Sequence, residues 1–128
     1  SFTANPLACA VACASLDLLQ ATQALDRVAR LERQFRALFE PMRAIPRVAD
    51  VRVLGGVVAL ELVPDSETGS GYLDALGPRL SAAFLARGVL LRPLGHVLYV
   101  MPPYVITDDE VAWVAEQVEA VLTGPEMR

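Results

Sequence analysis

The chain has 128 residues and a net charge of −4, and 54% of its residues are hydrophobic. That is enough apolar material for one domain with its own core, which excludes a disordered chain. The negative balance, with no basic cluster, argues against nucleic acid as a partner, and charged residues interrupt every apolar run after Leu19 before it reaches membrane-spanning length.

The chain opens on Ser1-Phe2-Thr3-Ala4-Asn5-Pro6. It lacks an initiator methionine and reads as the interior of a longer polypeptide. No basic segment precedes the small apolar residues 6–16, so a secretory leader is not expected and a cytoplasmic protein is. Asn5-Pro6 is a helix-start signal, because Asn caps with its side-chain oxygen and Pro at the first helical position gives up no useful N–H. The run Leu7 to Leu19 is apolar nearly all round, which predicts a helix buried on most sides against a partner domain or subunit. Cys9 and Cys13 lie four apart on it. They are expected to be small buried thiols, since that spacing is poor for a disulfide and no further ligands accompany them for zinc.

Thr22 is placed to cap a second helix reaching Phe39, with Leu25, Val28, Leu31, Phe35, Leu38 and Phe39 on one apolar stripe and arginines largely off it. Pro41 weakens this helix and Pro46 ends it. Val48–Leu54 and Val57–Val63 read as two strands around Gly55-Gly56. Glu61 in the second strand is open to two readings, a functional acid or an outward-facing strand residue. A polar loop follows, then a helix within Tyr72–Arg87, whose ordered part starts near Pro78 and stops at Gly88. Two apolar runs, Val89–Leu91 and Val97–Met101, flank Arg92-Pro93-Leu94-Gly95-His96 and predict a hairpin. Arg92, at the end of the first run and near Tyr99, fits a solvated ion pair or a receptor for a carboxylate, which its planar fork can hold through two parallel bonds. Thr107 caps the last helix. Asp108, Asp109 and Glu110 suit its first turn better than they suit a metal site. The elements predict an α+β two-layer sandwich, a small, mostly antiparallel sheet with helices on one face.

Several of these stretches resemble the class III aminotransferases, pyridoxal-phosphate enzymes of fold type I. Asn5-Pro6-Leu7-Ala8-Cys9-Ala10 after Ser1-Phe2 is similar to the signature near the end of their large domain. Asp50 to Gly55, Gly88 to Pro93 and Tyr99 to Tyr104 are similar to the branch of the class that serves biotin synthesis. The resemblance covers the whole chain. It implies the end of the large domain with its linking helices over 1–40 and the C-terminal small domain over 41–128. It also implies a homodimer and an amino transfer from S-adenosylmethionine to 8-amino-7-oxononanoate.

By the same resemblance, Ser1 and Phe2 meet the cofactor phosphate of the partner subunit, Arg92 holds the carboxylate of the keto acid, and Tyr99 lines that pocket. Neither a metal nor a catalytic residue is expected within the chain. All eleven basic residues are arginine, so no side chain here can form a Schiff base. His96, the single histidine, takes no catalytic role. Where the family has a Gly-Ala-Ile-Gly-like run, this chain has Gly55-Gly56-Val57-Val58, so a shifted strand register is expected at Val58. Two alternatives stay open. One is another class III enzyme acting on ornithine or an ω-amino acid, and the other is a free-standing α+β binding or dimerisation module.

Overall fold

A computed structural model describes residues 2–64 and 76–124. The first helix, α1 (Pro6–Ala21), starts as its sequence requires: Asn5 Oδ1 accepts from the N–H of Leu7 at 2.9 Å and of Ala8 at 3.4 Å. Thr22 closes this helix rather than capping the next, its hydroxyl and N–H both donating to the Leu18 carbonyl at 2.8 and 2.9 Å. The open carbonyls of α1 lie within reach of that hydroxyl and compete with the next helix for it. The second helix, α2 (Ala24–Phe39), instead begins after Gln23, which sits in the left-handed region at φ 51°.

α1 buries none of its residues, and Leu7, Val11, Leu16 and Leu18 are each at least 60% exposed. The cover expected for it is therefore not supplied by the described residues of this chain. Cys9 and Cys13 are free, as expected, but exposed rather than buried. A bare leucine-rich surface of this size favours association. Sedimentation of the chain on its own is expected to show species heavier than the 13.8 kDa monomer. Leu7→Glu with Val11→Glu is expected to restore the monomer, and a monodisperse monomer of the unaltered chain would contradict the expectation.

α2 turns Leu31, Phe35 and Phe39 inward, with the two phenyl rings edge to face at a centroid distance of 5.7 Å. Leu25, the first residue of the expected stripe, lies outside the core and is exposed. The helix tightens into a short 3-10 turn over Glu40–Ala44, which carries Pro41 at its start and buries Met42. Three strands follow in antiparallel order β1-β2-β3: β1 (Val48–Leu54), β2 (Val57–Leu62) and β3 (Val97–Val100). Gly55, at φ +53°, makes the tight turn between β1 and β2, where L side chains are strained.

Val58 is fully buried and pairs regularly with Val53 and Val100, so the register shift expected there is absent. The irregularity falls between Val48 and Asp50 instead. It brings Val51 and Val53 to the inner face with Val58, Leu60, Leu98 and Val100.

α3 (Leu76–Ala86) contributes Leu76, Leu80 and Phe84 to the core. It ends in a Schellman turn, in which the Gly88 N–H donates to the Leu85 carbonyl and the Val89 N–H to the Phe84 carbonyl, both at 3.0 Å. The last helix, α4 (Asp108–Thr123), buries Val111, Ala115, Val118, Val121 and Leu122. One cluster joins these side chains to those of α2, α3 and the inner sheet face. That is the two-layer α+β arrangement the sequence predicts. Val89–Leu91 is not a strand, however. Apart from the Leu94–Val97 bridge this stretch adds no ladder to β3, and Pro93 carries no N–H to extend one.

Thr107 and Glu110 form a reciprocal capping box on α4: the Glu110 carboxylate accepts from the Thr107 N–H at 2.8 Å, and Thr107 Oγ1 accepts from the Glu110 N–H at 3.3 Å. The hydrogen bonds from the Thr107 backbone and then its hydroxyl hold the Glu110 carboxyl below the usual carboxylate range. Because that value is lowered on folding, the contribution is complete above the ordinary carboxylate value and is lost as pH falls through the folded one. Thr107→Ala is expected to cost about 1 kcal/mol in urea denaturation.

Candidate active-site wall

Alternation along the strands divides the sheet into two faces. Asp50, Arg52, Ala59, Glu61, Val97 and Tyr99 point away from the core, and no described helix packs its buried face on them. The register sets Arg52 beside Ala59 and Ala59 beside Tyr99, so one row crosses all three strands.

Just before β3, a two-residue turn reverses the chain. Leu94 and Val97 exchange hydrogen bonds of 2.8 and 3.0 Å, and Gly95 takes φ +59° while His96 does not go positive. That is the pattern of a type II′ turn, which calls for Gly at its first central position. Opposed residues in such a pair face the same way, and Leu94 opposes Val97. Upstream, Val89 is buried, Leu90 exposed, Leu91 half-buried and Arg92 exposed. In extended chain that alternation has Arg92 on the side of Leu94, while the pairing itself stops at the Leu94–Val97 bridge. Arg92 is thus exposed on extended chain before this turn and Tyr99 is exposed on β3, and the Leu94–Val97 bridge is the pairing that joins the two segments.

Charge separates the two arginines of this face. Arg52 donates to Glu61 at 2.8 Å and Asp50 at 3.0 Å, and these bonds, Glu61's first, hold its guanidinium protonated even more firmly than usual. Asp50 also accepts from Arg43, the largest cause of its lowered carboxyl value. His96 Nε2 lies 3.9 Å from the other Glu61 oxygen. Arg52 is thus engaged by two carboxylates. Among the described residues Arg92 has no hydrogen-bond or ion-pair partner. Glu61 is an ion-pair member on the strand's outer side, the second of its two readings. This network went unread in the sequence, although the outward alternation of Asp50, Arg52 and Glu61 would have signalled it.

Ser1 lies outside the described residues. Phe2 belongs to a short 3-10 turn, Phe2–Ala4, whose Thr3 and Ala4 both take positive φ. No group of three or more metal-ligating side chains occurs among the described residues. No single described helix is long and apolar enough to cross a membrane.

The family model for class III aminotransferases matches residues 1–122. The chain belongs to that family, whose members depend on pyridoxal phosphate. Over 111 residues, 87% of this chain, it is 47% identical to the adenosylmethionine-8-amino-7-oxononanoate aminotransferase of Synechococcus elongatus, of which the match covers 25%. The enzyme of the same name from Corynebacterium glutamicum is 38% identical over 124 residues, 97% of this chain and 27% of that one. A crystal structure of the Methanocaldococcus jannaschii enzyme of that name superposes with a TM-score of 0.80 at 28% identity, over 92% of this chain and 27% of that one. The chain therefore spans about a quarter of the length of the relatives it matches.

Proposed function

We propose that this chain supplies the C-terminal part of a homodimeric, cytoplasmic aminotransferase of biotin synthesis. The enzyme moves an amino group from S-adenosylmethionine to 8-amino-7-oxononanoate, giving 7,8-diaminononanoate. What supports this reading is Arg92, exposed and without a hydrogen-bond or ion-pair partner among the described residues, on the segment that turns into the strand bearing Tyr99, in a chain whose curated relatives are named for that reaction.

Pyridoxal phosphate, when bound, supplies the electron sink for amino transfer. With no lysine, this chain has no side-chain amine to attach the cofactor, and the donor set it offers suits a contact at the phosphate end. Under this reading the Ser1 hydroxyl and the backbone around Phe2 make that contact on the partner subunit's cofactor. Arg92 binds the alkanoate carboxylate, and Tyr99 gives an apolar wall along the chain between that carboxylate and the reacting ketone. Their work is orientation, which lowers the barrier by fixing the ketone in place rather than by moving a proton.

A chimera tests this directly. This chain replaces the matching C-terminal quarter of the Synechococcus elongatus enzyme, and amination of 8-amino-7-oxononanoate by S-adenosylmethionine is measured. Turnover with that pair is expected. A folded, cofactor-loaded chimera that instead aminates only ornithine-derived or ω-amino-acid-derived carbonyls would overturn the substrate assignment.

A further inference from the structure

Tyr104 belongs to none of the groups assigned above, and its half-exposed ring makes a close contact outside the core. It lies directly on Gly56: a Cβ there would stand 3.0 Å from Tyr104 Cε1, 3.6 Å from Cδ1 and 3.8 Å from Leu31 Cδ2. The seat beneath the ring is itself held from α2. Glu32 accepts from the Gly55 N–H at 3.1 Å, and Arg36 donates to Glu32 at 2.6 Å and to the Val53 carbonyl at 3.1 Å. Among the described residues the Tyr104 hydroxyl has no hydrogen bond, so the ring is the part that acts.

Tyr104 is joined to Tyr99 by the buried Val100, then Met101 and the pair Pro102-Pro103. Two consecutive prolines fix φ and leave few torsions to absorb a displacement. The exit of β3, an edge strand of four residues, is thereby tied to the β1–β2 turn. On its other side the same loop faces the segment leading to Arg92. A groove of about 540 Å³ is lined by Gly88, Val89 and Leu90 across from Pro103, Val105 and Trp113. The loop thus touches both the seat of Tyr104 and, through that groove, the residues 88–90 that lead towards Arg92.

We infer that Tyr104 is a positioning residue for the Arg92–Tyr99 wall, setting its geometry through the proline-stiffened exit of β3 without touching substrate. The inference rests on the carboxylate-binding reading of that wall. The test uses the full-length enzyme with steady-state kinetics for both substrates and a thermal melt. Tyr104→Ala is expected to raise KM for the keto acid about tenfold while leaving KM for the amino donor within about twofold. Tyr104→Phe, which keeps the ring, retains the wild-type values. Gly56→Ala presses on the ring, which must give by a few tenths of an ångström, and is expected to shift the keto-acid KM in the same direction yet add nothing when combined with Tyr104→Ala.

A lowered melting temperature with both KM values unchanged, or equal changes in both, overturns the inference. So does additivity of the Gly56 and Tyr104 changes. Should Tyr104→Ala fail to fold, Gly56→Ala and Tyr104→Phe still decide by the same KM split. Arg92→Ala run alongside separates two failures. If it leaves the keto-acid KM unchanged, the carboxylate reading falls and takes this inference with it. If it raises that KM while the Tyr104 and Gly56 variants do not, only the positioning role falls.

Discussion

Arg92→Ala in the full-length enzyme is expected to raise KM for the keto acid roughly thirtyfold or more, as follows from losing on the order of 2 kcal/mol of charge-assisted bonding to a carboxylate. KM for the amino donor is expected to move far less, because the donor brings its amine to the same centre without needing the alkanoate grip. The asymmetry follows from the open sheet face. Arg52 is held by Glu61 and Asp50, at 2.8 and 3.0 Å, and cannot take over the anion without breaking those pairs. Arg92→Lys is expected to recover only part of the loss, since an ammonium replaces a planar fork with a point charge. Equal effects of Arg92→Ala on both substrates would remove Arg92 from the carboxylate site.

The largest effect on stability is expected at Phe39. It is fully buried, stacked edge to face on Phe35, and stands where α2 gives way to the 3-10 turn that leads into β1. Phe39→Ala removes a ring from the middle of the cluster shared by the sheet and α2, α3 and α4. A cost of about 3–5 kcal/mol in urea denaturation is expected. Leu25→Ala, on the same helix but 83% exposed, is expected to stay within about 0.5 kcal/mol. Comparable losses at the two positions would contradict this placement of the core.

The two phenylalanines and Leu25 also show where periodicity stops being informative. All three fit one apolar stripe along α2, and pattern alone cannot say how far along the helix the core reaches. The edge of the sheet it packs on decides that. Thr22 makes a similar point at a helix boundary. A threonine between two helices can close the first or cap the second, and the local geometry of Leu18 and Gln23 settles the choice. The expected strand Val89–Leu91 has the composition of a strand and the alternating exposure of one. Pro93 and the brevity of β3 leave it almost no ladder, which depends on a partner strand rather than on its own residues.

The helix starts at Asn5-Pro6 and Thr107, the stop at Gly88 and the turns at Gly55 and Gly95 were all legible, because each depends on one residue's own stereochemistry or on side chains two to four positions away. So was the candidacy of Arg92 and Tyr99, which rested on residue type and a resemblance. That Arg52 is already engaged while Arg92 has no partner among the described residues, and that Tyr104 rests on Gly56, came only from the tertiary structure. Each of these joins residues far apart in sequence or across strands, and their distances are set by the register of the sheet and the packing of α2 against it. Local chemistry chose the elements and their ends. Long-range packing chose which charges were paired.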